Sequence, residues 1–218
     1  MSSHPSLIAD ARAAIEPLRG AGGLPPRVIV GIAGAPAAGK STLATSLATN
    51  YGGTDGPDAA IAVGMDGFHL ANTELARLGL TARKGAPETF DAYGFVALLR
   101  RLRARDEPVV YAPIYSRTVH ESIGSAVPVR RQVGVVIVEG NYLLLDAEPW
   151  DQVRSLLDLV IYLDTPTGVR VPSLLRRQRS RGLDRDAAYD WVYRSDEANA
   201  DLVADTRARA DIVLSRPA

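Results

Sequence analysis

The segment GAPAAGKST, residues 34–42, constrains the fold more than any other stretch of this chain. It matches the pattern G-x-x-x-x-G-K-[ST] and follows RVIVGIA, residues 27–33, an apolar run typical of a buried strand. The two glycines let the backbone turn its N–H groups inward, and the helix predicted from Lys40 adds its positive end. The segment therefore predicts a phosphate-binding loop between a strand and a helix.

The same segment predicts the residues of a nucleotide site. Lysine is rare in this chain, which has two lysines against many arginines, so Lys40 indicates a requirement for this side chain. A lysine at this position reaches the β and γ phosphates of a nucleotide, and the hydroxyl of Ser41 is a ligand for Mg²⁺. We expect ATP and Mg²⁺ to bind through Gly34, Ala35, Ala37, Ala38, Gly39, Lys40, Ser41 and Thr42.

Length, charge and cysteine content limit the partners of the protein. A chain of 218 residues suits one domain, and its net charge of zero gives no field that would attract nucleic acid or a membrane. The chain has no cysteine and no apolar stretch near 18 residues, so we expect a cytoplasmic protein. The oligomeric state stays open, and a homodimer is compatible with the sequence.

Short apolar runs alternate with helical patterns along the chain. The runs are rich in Val and Ile, which is typical of buried parallel strands. The alternation predicts an α/β protein whose parallel sheet is covered by helices on both faces. The predicted strands are 28–33, 59–65, 134–138, 159–163 and 212–214, and the predicted helices are 5–18, 40–50, 92–105, 148–157 and a long pair across 167–209.

Two carboxylates follow predicted strands at one edge of the sheet. Asp66 lies in MDGFH after the second strand, and Glu139 lies in VIVEGN after the third. Open α/β sheets bind ligands at the carboxyl ends of their strands. Phosphoryl transfer can use one carboxylate as the base for the attacking hydroxyl and another to hold Mg²⁺ directly or through water. A helix cap or a surface salt bridge is the alternative role for each.

The segment LLRRQRSRGLDRD, residues 174–186, predicts a lid. Most of its arginines fit a solvated helix face, but one or two can close on the γ phosphate and stabilise charge in the transition state. The N/T-K-x-D motif of guanine-specific GTPases and the LSGGQ motif of transporter ATPases do not occur. A small-molecule kinase, a plain ATPase and a nucleotide-binding regulator remain as alternatives.

Four further stretches resemble the P-loop kinase superfamily of uridine kinase, phosphoribulokinase and type I pantothenate kinase. The DGF and R-K-G-x-P-E-[ST]-[FY]-D elements are similar to pantothenate kinase. EGNYLLLD with the following Trp150 is more similar to a branch often named nucleoside/nucleotide kinase or fructose-transport-system kinase. The stretches are residues 65–95, 112–117, 138–146 and 164–182.

The resemblance implies an α/β protein with the three-layer P-loop NTPase fold, a parallel five-stranded core sheet and a helical lid. It also implies transfer of the γ phosphate of ATP to an alcohol by a single domain, residues 1–218. It implies that Asp66 is the general base, that Lys40 and Ser41 serve phosphate and Mg²⁺, that Glu139 assists the metal and that Arg177 is the lid arginine. The acceptor-binding insertion is expected at about 67–130 and the lid at about 176–186. The implied acceptor residues are Arg83, Tyr115, Arg117, Asn141 and Asn199, and His69 beside DGF is a further candidate whose alternative role is packing.

Two departures from the pantothenate kinase pattern bear on the acceptor. Arg117 stands where those enzymes carry a histidine, and they lack the Asn-Tyr-Leu-Leu-Leu run after Glu-Gly. The guanidinium offers several donors, and Asn141 and Asn199 can each donate and accept, which favours a ligand with many hydroxyl groups. As the phosphate acceptor we therefore expect a sugar or polyol first, a nucleoside second and pantothenate third. The base of a nucleoside could stack on Phe68 or Tyr142.

Overall fold

A parallel sheet of five strands forms the centre of the computed structural model, which describes residues 5–20 and 27–217. The strands of the protein are β1 (Val28–Ala33), β2 (Ala60–Gly64), β3 (Val109–Ser116), β4 (Glu121–Arg130), β5 (Val135–Glu139), β6 (Leu159–Asp164) and β7 (Ile212–Ser215). The order in the central sheet is β2-β5-β1-β6-β7, and each of these five overlaps a run that the sequence analysis predicted as a strand. The helices are α1 (Pro5–Ile15), α2 (Lys40–Asp55), α3 (Asn72–Arg77), α4 (Ala92–Ala104), α5 (Thr167–Ser180), α6 (Arg185–Trp191) and α7 (Glu197–Ala204).

Helices bury both faces of the central sheet, so its strands are apolar on both sides. Along β1, Val30 and Ile32 pack into a cluster with residues of α1 and α2, whereas Ile29 packs with residues of α4. Each fully buried side chain of this kind stabilises the fold by about 1.5–3 kcal/mol. The predicted three-layer arrangement is confirmed.

A two-stranded antiparallel sheet, β3 with β4, was not predicted from the sequence. It lies between α4 and β5 in the chain, and Val110 pairs with Val129. The sheet packs on the 3₁₀ turn Met65–Phe68, where a Cβ on Gly67 would lie 2.6 Å from the carbonyl oxygen of Pro113. Glycine in MDGF therefore allows the turn that carries Asp66 to approach β3 closely.

Two helix predictions were wrong in detail. Residues 148–157 form two 3₁₀ turns, Trp150–Gln152 and Arg154–Leu156, instead of an α-helix. Their hydrogen bonds join residues three apart, such as Val153 N–H to Trp150 O at 2.9 Å. The pair predicted across 167–209 is divided into α5, α6, a π-helical turn and α7. Gly182, with φ of 94°, follows α5 and lets the chain reverse before α6.

The remaining expectations on organisation stay predictions. These are the single domain with an insertion and a lid, the cytoplasmic location and the homodimer. Across the part of the chain that the structure describes, no helix is both long and apolar enough to cross a lipid bilayer.

Candidate active site

The loop between β1 and α2 has the backbone of a phosphate-binding nest. Gly34 and Gly39 take φ values of 148° and 102°, and Ala37 takes 60°. A Cβ on Gly34 would lie 2.6 Å from the carbonyl oxygen of Leu163, so no larger residue fits there without a shift of backbone. Left-handed residues in such a loop turn consecutive N–H groups toward one point, which suits phosphate oxygens.

Lys40 is buried at the start of α2, with 7% of its surface exposed. Its Nζ donates to the carbonyl oxygen of Ala35 at 2.9 Å and to Oδ1 of Asn141 at 2.7 Å. Burial lowers the pKa of Lys40 to about 8, although Glu139 and Asp66 oppose this shift. Because an ammonium can only donate, Asn141 must present its oxygen to Lys40, which leaves its amide N–H groups for a ligand.

Ser41 and Glu139 form a pair of oxygen donors beside Lys40. The Ser41 hydroxyl donates to Oε1 of Glu139 at 2.9 Å. Burial, and then the nearby Asp66 carboxylate, raises the pKa of Glu139. Glu139 pairs with Gly64 across β5 and β2, so Asp66, two residues further along, lies at the same sheet edge.

The oxygens of Ser41 and Glu139 suit a magnesium ion that also binds substrate phosphates and waters, rather than a metal ion held by protein ligands alone. In the two described ranges, no group of three or more His, Cys, Asp and Glu side chains could hold a metal. Mg²⁺ in kinases is usually held by one or two carboxylates together with substrate phosphates and waters. Ser41 and Glu139 supply a hydroxyl and a carboxylate of the required kind, next to the phosphate-binding loop.

His69 packs against the turn that carries Asp66. Its Nδ1 lies 2.8 Å from the main-chain carbonyl oxygen of Asp66, and burial lowers its pKa. A carbonyl oxygen only accepts, so Nδ1 carries the proton and Nε2 of the neutral ring is free to accept. The ring packs between Phe90 and Tyr115, with centroid distances of 4.0 and 4.8 Å.

One cavity of about 590 Å³ brings most of the predicted site residues together. A volume of this size is typical of small-molecule sites. Gly34 and Ala35 are not part of the lining, but they shape the loop behind it. The predicted residues in the lining are Ala37, Ala38, Gly39, Lys40, Ser41, Thr42, Asp66, His69, Tyr115, Arg117, Glu139, Asn141, Arg177 and Asn199.

Arg83 does not line this cavity. Its guanidinium forms an ion pair with Glu88, and 62% of its side chain is exposed. The next residue, Lys84, lines the cavity instead. Its Nζ donates to the carbonyl oxygen of His120 at 3.0 Å and to Oδ1 of Asn72. Arg83 ends the 3₁₀ turn Thr81–Arg83 and Lys84 follows it, so the two side chains point in different directions. The scarcity of lysine was a sequence signal that could have identified Lys84.

A buried ion pair that the sequence analysis missed links α5 to α7 beside the phosphate-binding loop. Arg170, only 5% exposed, donates through Nη1 to Oε1 of Glu197 at 2.9 Å. It also lies 3.2 Å from the hydroxyl of Thr167 and 3.4 Å from the carbonyl oxygen of Pro36. Arg170 therefore connects α5, α7 and the phosphate-binding loop, and no local pattern reveals a contact across 27 residues.

Helix α5 and the segment that follows it contribute further cavity residues that the sequence analysis did not identify individually. Gln178 is buried on α5 and donates through Nε2 to Asp196 at 3.1 Å. Burial raises the pKa of Asp196. Arg181 donates through Nη1 to Oε1 of Gln178 at 3.2 Å. All three residues line the cavity.

Comparisons with known proteins show that the chain is similar to several kinases. A crystal structure from Silicibacter sp. TM1040, of a protein provisionally named fructose transport system kinase, is 38% identical, with a TM-score of 0.84 over 95% of this chain and 98% of the other. A provisionally named uridine kinase of Schizosaccharomyces pombe is 32% identical over 196 residues, 87% of this chain and 83% of that protein. Pantothenate kinase of Clavibacter michiganensis is 36% identical over 141 residues, which cover 64% of this chain but only 44% of that enzyme.

The sequence profile of the phosphoribulokinase and uridine kinase family matches residues 29–218. The matched range includes the phosphate-binding loop, Asp66, Glu139 and residues 176–186. The chain therefore belongs to the phosphoribulokinase and uridine kinase family of P-loop kinases.

Proposed function

We propose that the protein transfers the γ phosphate of ATP to a hydroxyl group of a small polyhydroxylated metabolite, a sugar or a polyol. One observation supports this most strongly: a P-loop lysine, two strand-end carboxylates and a lid arginine line a single cavity. The same cavity extends past the loop to polar and aromatic side chains that a nucleotide phosphate does not require. This arrangement suits two substrates that meet at the γ phosphate.

The nucleotide would bind on the loop side. The N–H groups of residues 34–39 and the ammonium of Lys40 hold the phosphates, and Lys40 exchanges its contacts with Ala35 and Asn141 for phosphate oxygens. Ser41 and Glu139 would hold Mg²⁺. The ion, when bound, supplies positive charge to the β and γ phosphates during transfer.

Asp66 would act as the general base. Its carboxylate takes the proton of the acceptor hydroxyl while the oxygen forms a bond to the γ phosphorus and the bond to the ADP oxygen breaks. Arg177 approaches from α5 and stabilises the charge that develops on the phosphoryl oxygens. His69 orders the base, since its ring is anchored on the carbonyl of residue 66, and its Nε2 can accept from a second hydroxyl.

The acceptor pocket favours hydroxyl groups over an aromatic base. Arg117 and Asn199 supply donors, and Asn141, which Lys40 releases when the nucleotide binds, supplies an amide oxygen and amide N–H groups. The two rings considered for stacking on a nucleoside are used elsewhere. Tyr142 is 1% exposed, and Phe68 packs against Phe95 at 5.3 Å. A nucleoside therefore ranks second and pantothenate third.

The test is ADP release under saturating Mg-ATP with a panel of sugars, polyols, nucleosides and pantothenate. Acceptor-dependent release with a sugar or polyol supports the proposal, and a clear preference for uridine or pantothenate overturns the ranking. Release that does not depend on any acceptor indicates an ATPase, and nucleotide binding without turnover indicates a regulator. Lys40→Ala is the control, and activity within a few fold of the parent would contradict the P-loop assignment.

A further inference from the structure

The cavity is strongly cationic, although the chain as a whole has a net charge of zero. Its lining contains seven Lys and Arg side chains against three carboxylates, an excess of four positive charges. Magnesium-bound ATP carries about two negative charges, so about two of the four excess positive charges of the cavity stay unbalanced when the nucleotide binds. The cationic residues are Lys40, Lys84, Arg117, Arg176, Arg177, Arg181 and Arg216, and the carboxylates are Asp66, Glu139 and Asp196.

Three of these cations, Lys84, Arg117 and Arg181, form what we call the basic cluster. They lie around the turn between β3 and β4, which contains Arg117 and His120. Lys84 donates to the carbonyl oxygen of His120, and burial, Arg181, Lys84 and Arg177 together lower the pKa of the His120 ring. The cations thus approach one small region from the insertion, the turn and the lid.

Two carboxylates act on the basic cluster from a distance, since Arg117 opposes the rise in the pKa of Glu139 and Arg181 opposes that of Asp196. In residues 5–20 and 27–217, no carboxylate lies within ion-pair distance of Lys84, Arg117 or Arg181, whereas surface arginines such as Arg77 and Arg101 are paired. Lys84 uses two of its three N–H groups on neutral oxygens, those of Asn72 and His120, and lies 5.2 Å from the Tyr115 ring centroid. One N–H of its ammonium remains for a ligand.

The Lys84 ammonium is connected to the general base by a short series of contacts. The carbonyl of residue 66 contacts the His69 ring at 2.8 Å, that ring packs on Tyr115 at 4.8 Å, and Tyr115 packs under Lys84. The base and the basic cluster therefore lie along one wall of the cavity. A molecule that reaches both needs a hydroxyl at one end and an anionic group several bonds away.

We propose that the acceptor is an anionic polyol, whose carboxylate or phosphate ester is bound by Lys84 and Arg117 and covered by Arg181 when the lid closes. This assignment rests on the proposed kinase function and narrows its substrate class. Arg117 offers a planar set of donors for two oxygens, and Lys84 adds a compact charge. Arg117 and Arg181 are exposed and Lys84 is half-buried, so water solvates them when the acceptor is neutral, whereas an anionic acceptor gains charge-assisted hydrogen bonds from them.

The experiment compares matched acceptors that differ only in charge: ribose, ribonate and ribose 5-phosphate, and glycerol, glycerate and glycerol 3-phosphate. We measure kcat/KM for acceptor-dependent ADP release in the parent, in Lys84→Met and in Arg77→Met, a matched surface control. We expect a charged member to exceed its neutral counterpart roughly tenfold or more. Lys84→Met should remove most of that preference through KM, while Arg77→Met keeps it. The better of the carboxylate and phosphate members identifies the anionic group.

A neutral acceptor that is preferred, or a preference that Lys84→Met does not change, overturns this inference and leaves the kinase function intact. Absence of turnover with every acceptor contradicts the proposed function instead. In that case, binding of inorganic phosphate to the Mg-ADP complex, followed by isothermal titration calorimetry, still tests the basic cluster. We expect Lys84→Met to weaken phosphate binding roughly fivefold or more. Equal affinity in the parent and the variant overturns the inference.

Discussion

Arg170→Met is expected to destabilise the protein and weaken its nucleotide site together. The guanidinium is enclosed between α5, α7 and the phosphate-binding loop, and it contacts Glu197 at 2.9 Å and Pro36 O at 3.4 Å. Removal of one partner of a buried ion pair typically costs about 3–5 kcal/mol, because the other charge stays without a partner. Such a loss is a large part of the roughly 5–15 kcal/mol that stabilises a typical domain.

Arg170→Met and Glu197→Leu should lower the free energy of unfolding by different amounts, because the charged partner that remains in each variant differs in exposure. The Glu197 side chain is 21% exposed and that of Arg170 is 7% exposed. In Arg170→Met, the remaining carboxylate can therefore reach water, and we expect a loss near the lower limit, about 3 kcal/mol. In Glu197→Leu, the guanidinium stays buried, so the loss should approach about 5 kcal/mol. These losses correspond to a Tm lowered by about 6–20 °C.

The assay is urea unfolding followed by far-ultraviolet circular dichroism, with the KM for Mg-ATP measured in parallel. The double variant Arg170→Met with Glu197→Leu should regain most of the stability, because paired apolar replacements of buried ion pairs are often neutral. Arg194→Met is the control, since its pair with Asp190 is exposed on both sides and should contribute at most about 0.5 kcal/mol. A loss below about 1 kcal/mol in Arg170→Met, or a double variant as unstable as the sum of the singles, would refute the reasoning.

Three further variants test the site and its support. Asp66→Asn should keep nucleotide binding but lower kcat about 10²-fold or more in steady-state assays; an unchanged rate with weaker ATP affinity would make it a binding residue. Arg177→Ala should lower kcat far more than substrate affinity, and a larger loss at a neighbouring lid arginine would contradict its role. Hydrogen bonds from Thr54 and Arg19 lower the pKa of Asp55 from 3.8 to about 2. The ionised carboxylate therefore stabilises the fold at a pH above its pKa in the unfolded chain, and this stabilisation is lost as the pH falls toward 2. The unfolding free energies of the parent and Asp55→Asn should therefore converge between about pH 4 and pH 2, and a difference independent of pH would exclude this linkage.

The sequence by itself determined the sheet, the phosphate-binding loop and the position of the two carboxylates. These features depend on local patterns: apolar runs predict strands, and glycines at fixed spacing predict the turn before Lys40. Asp66 and Glu139 could be placed together because parallel strands bring their carboxyl ends to one edge, and β2 pairs directly with β5.

Only the tertiary structure decided which side chains reach the ligand and which hold the site together. Arg83 and Lys84 are adjacent cations, and the turn that precedes Lys84 directs this one into the cavity while Arg83 pairs with Glu88 at the surface. Asn141 lies beside Lys40 across 101 residues of chain. Such contacts depend on how distant segments pack, and a local pattern carries only the burial of each segment, not its partner.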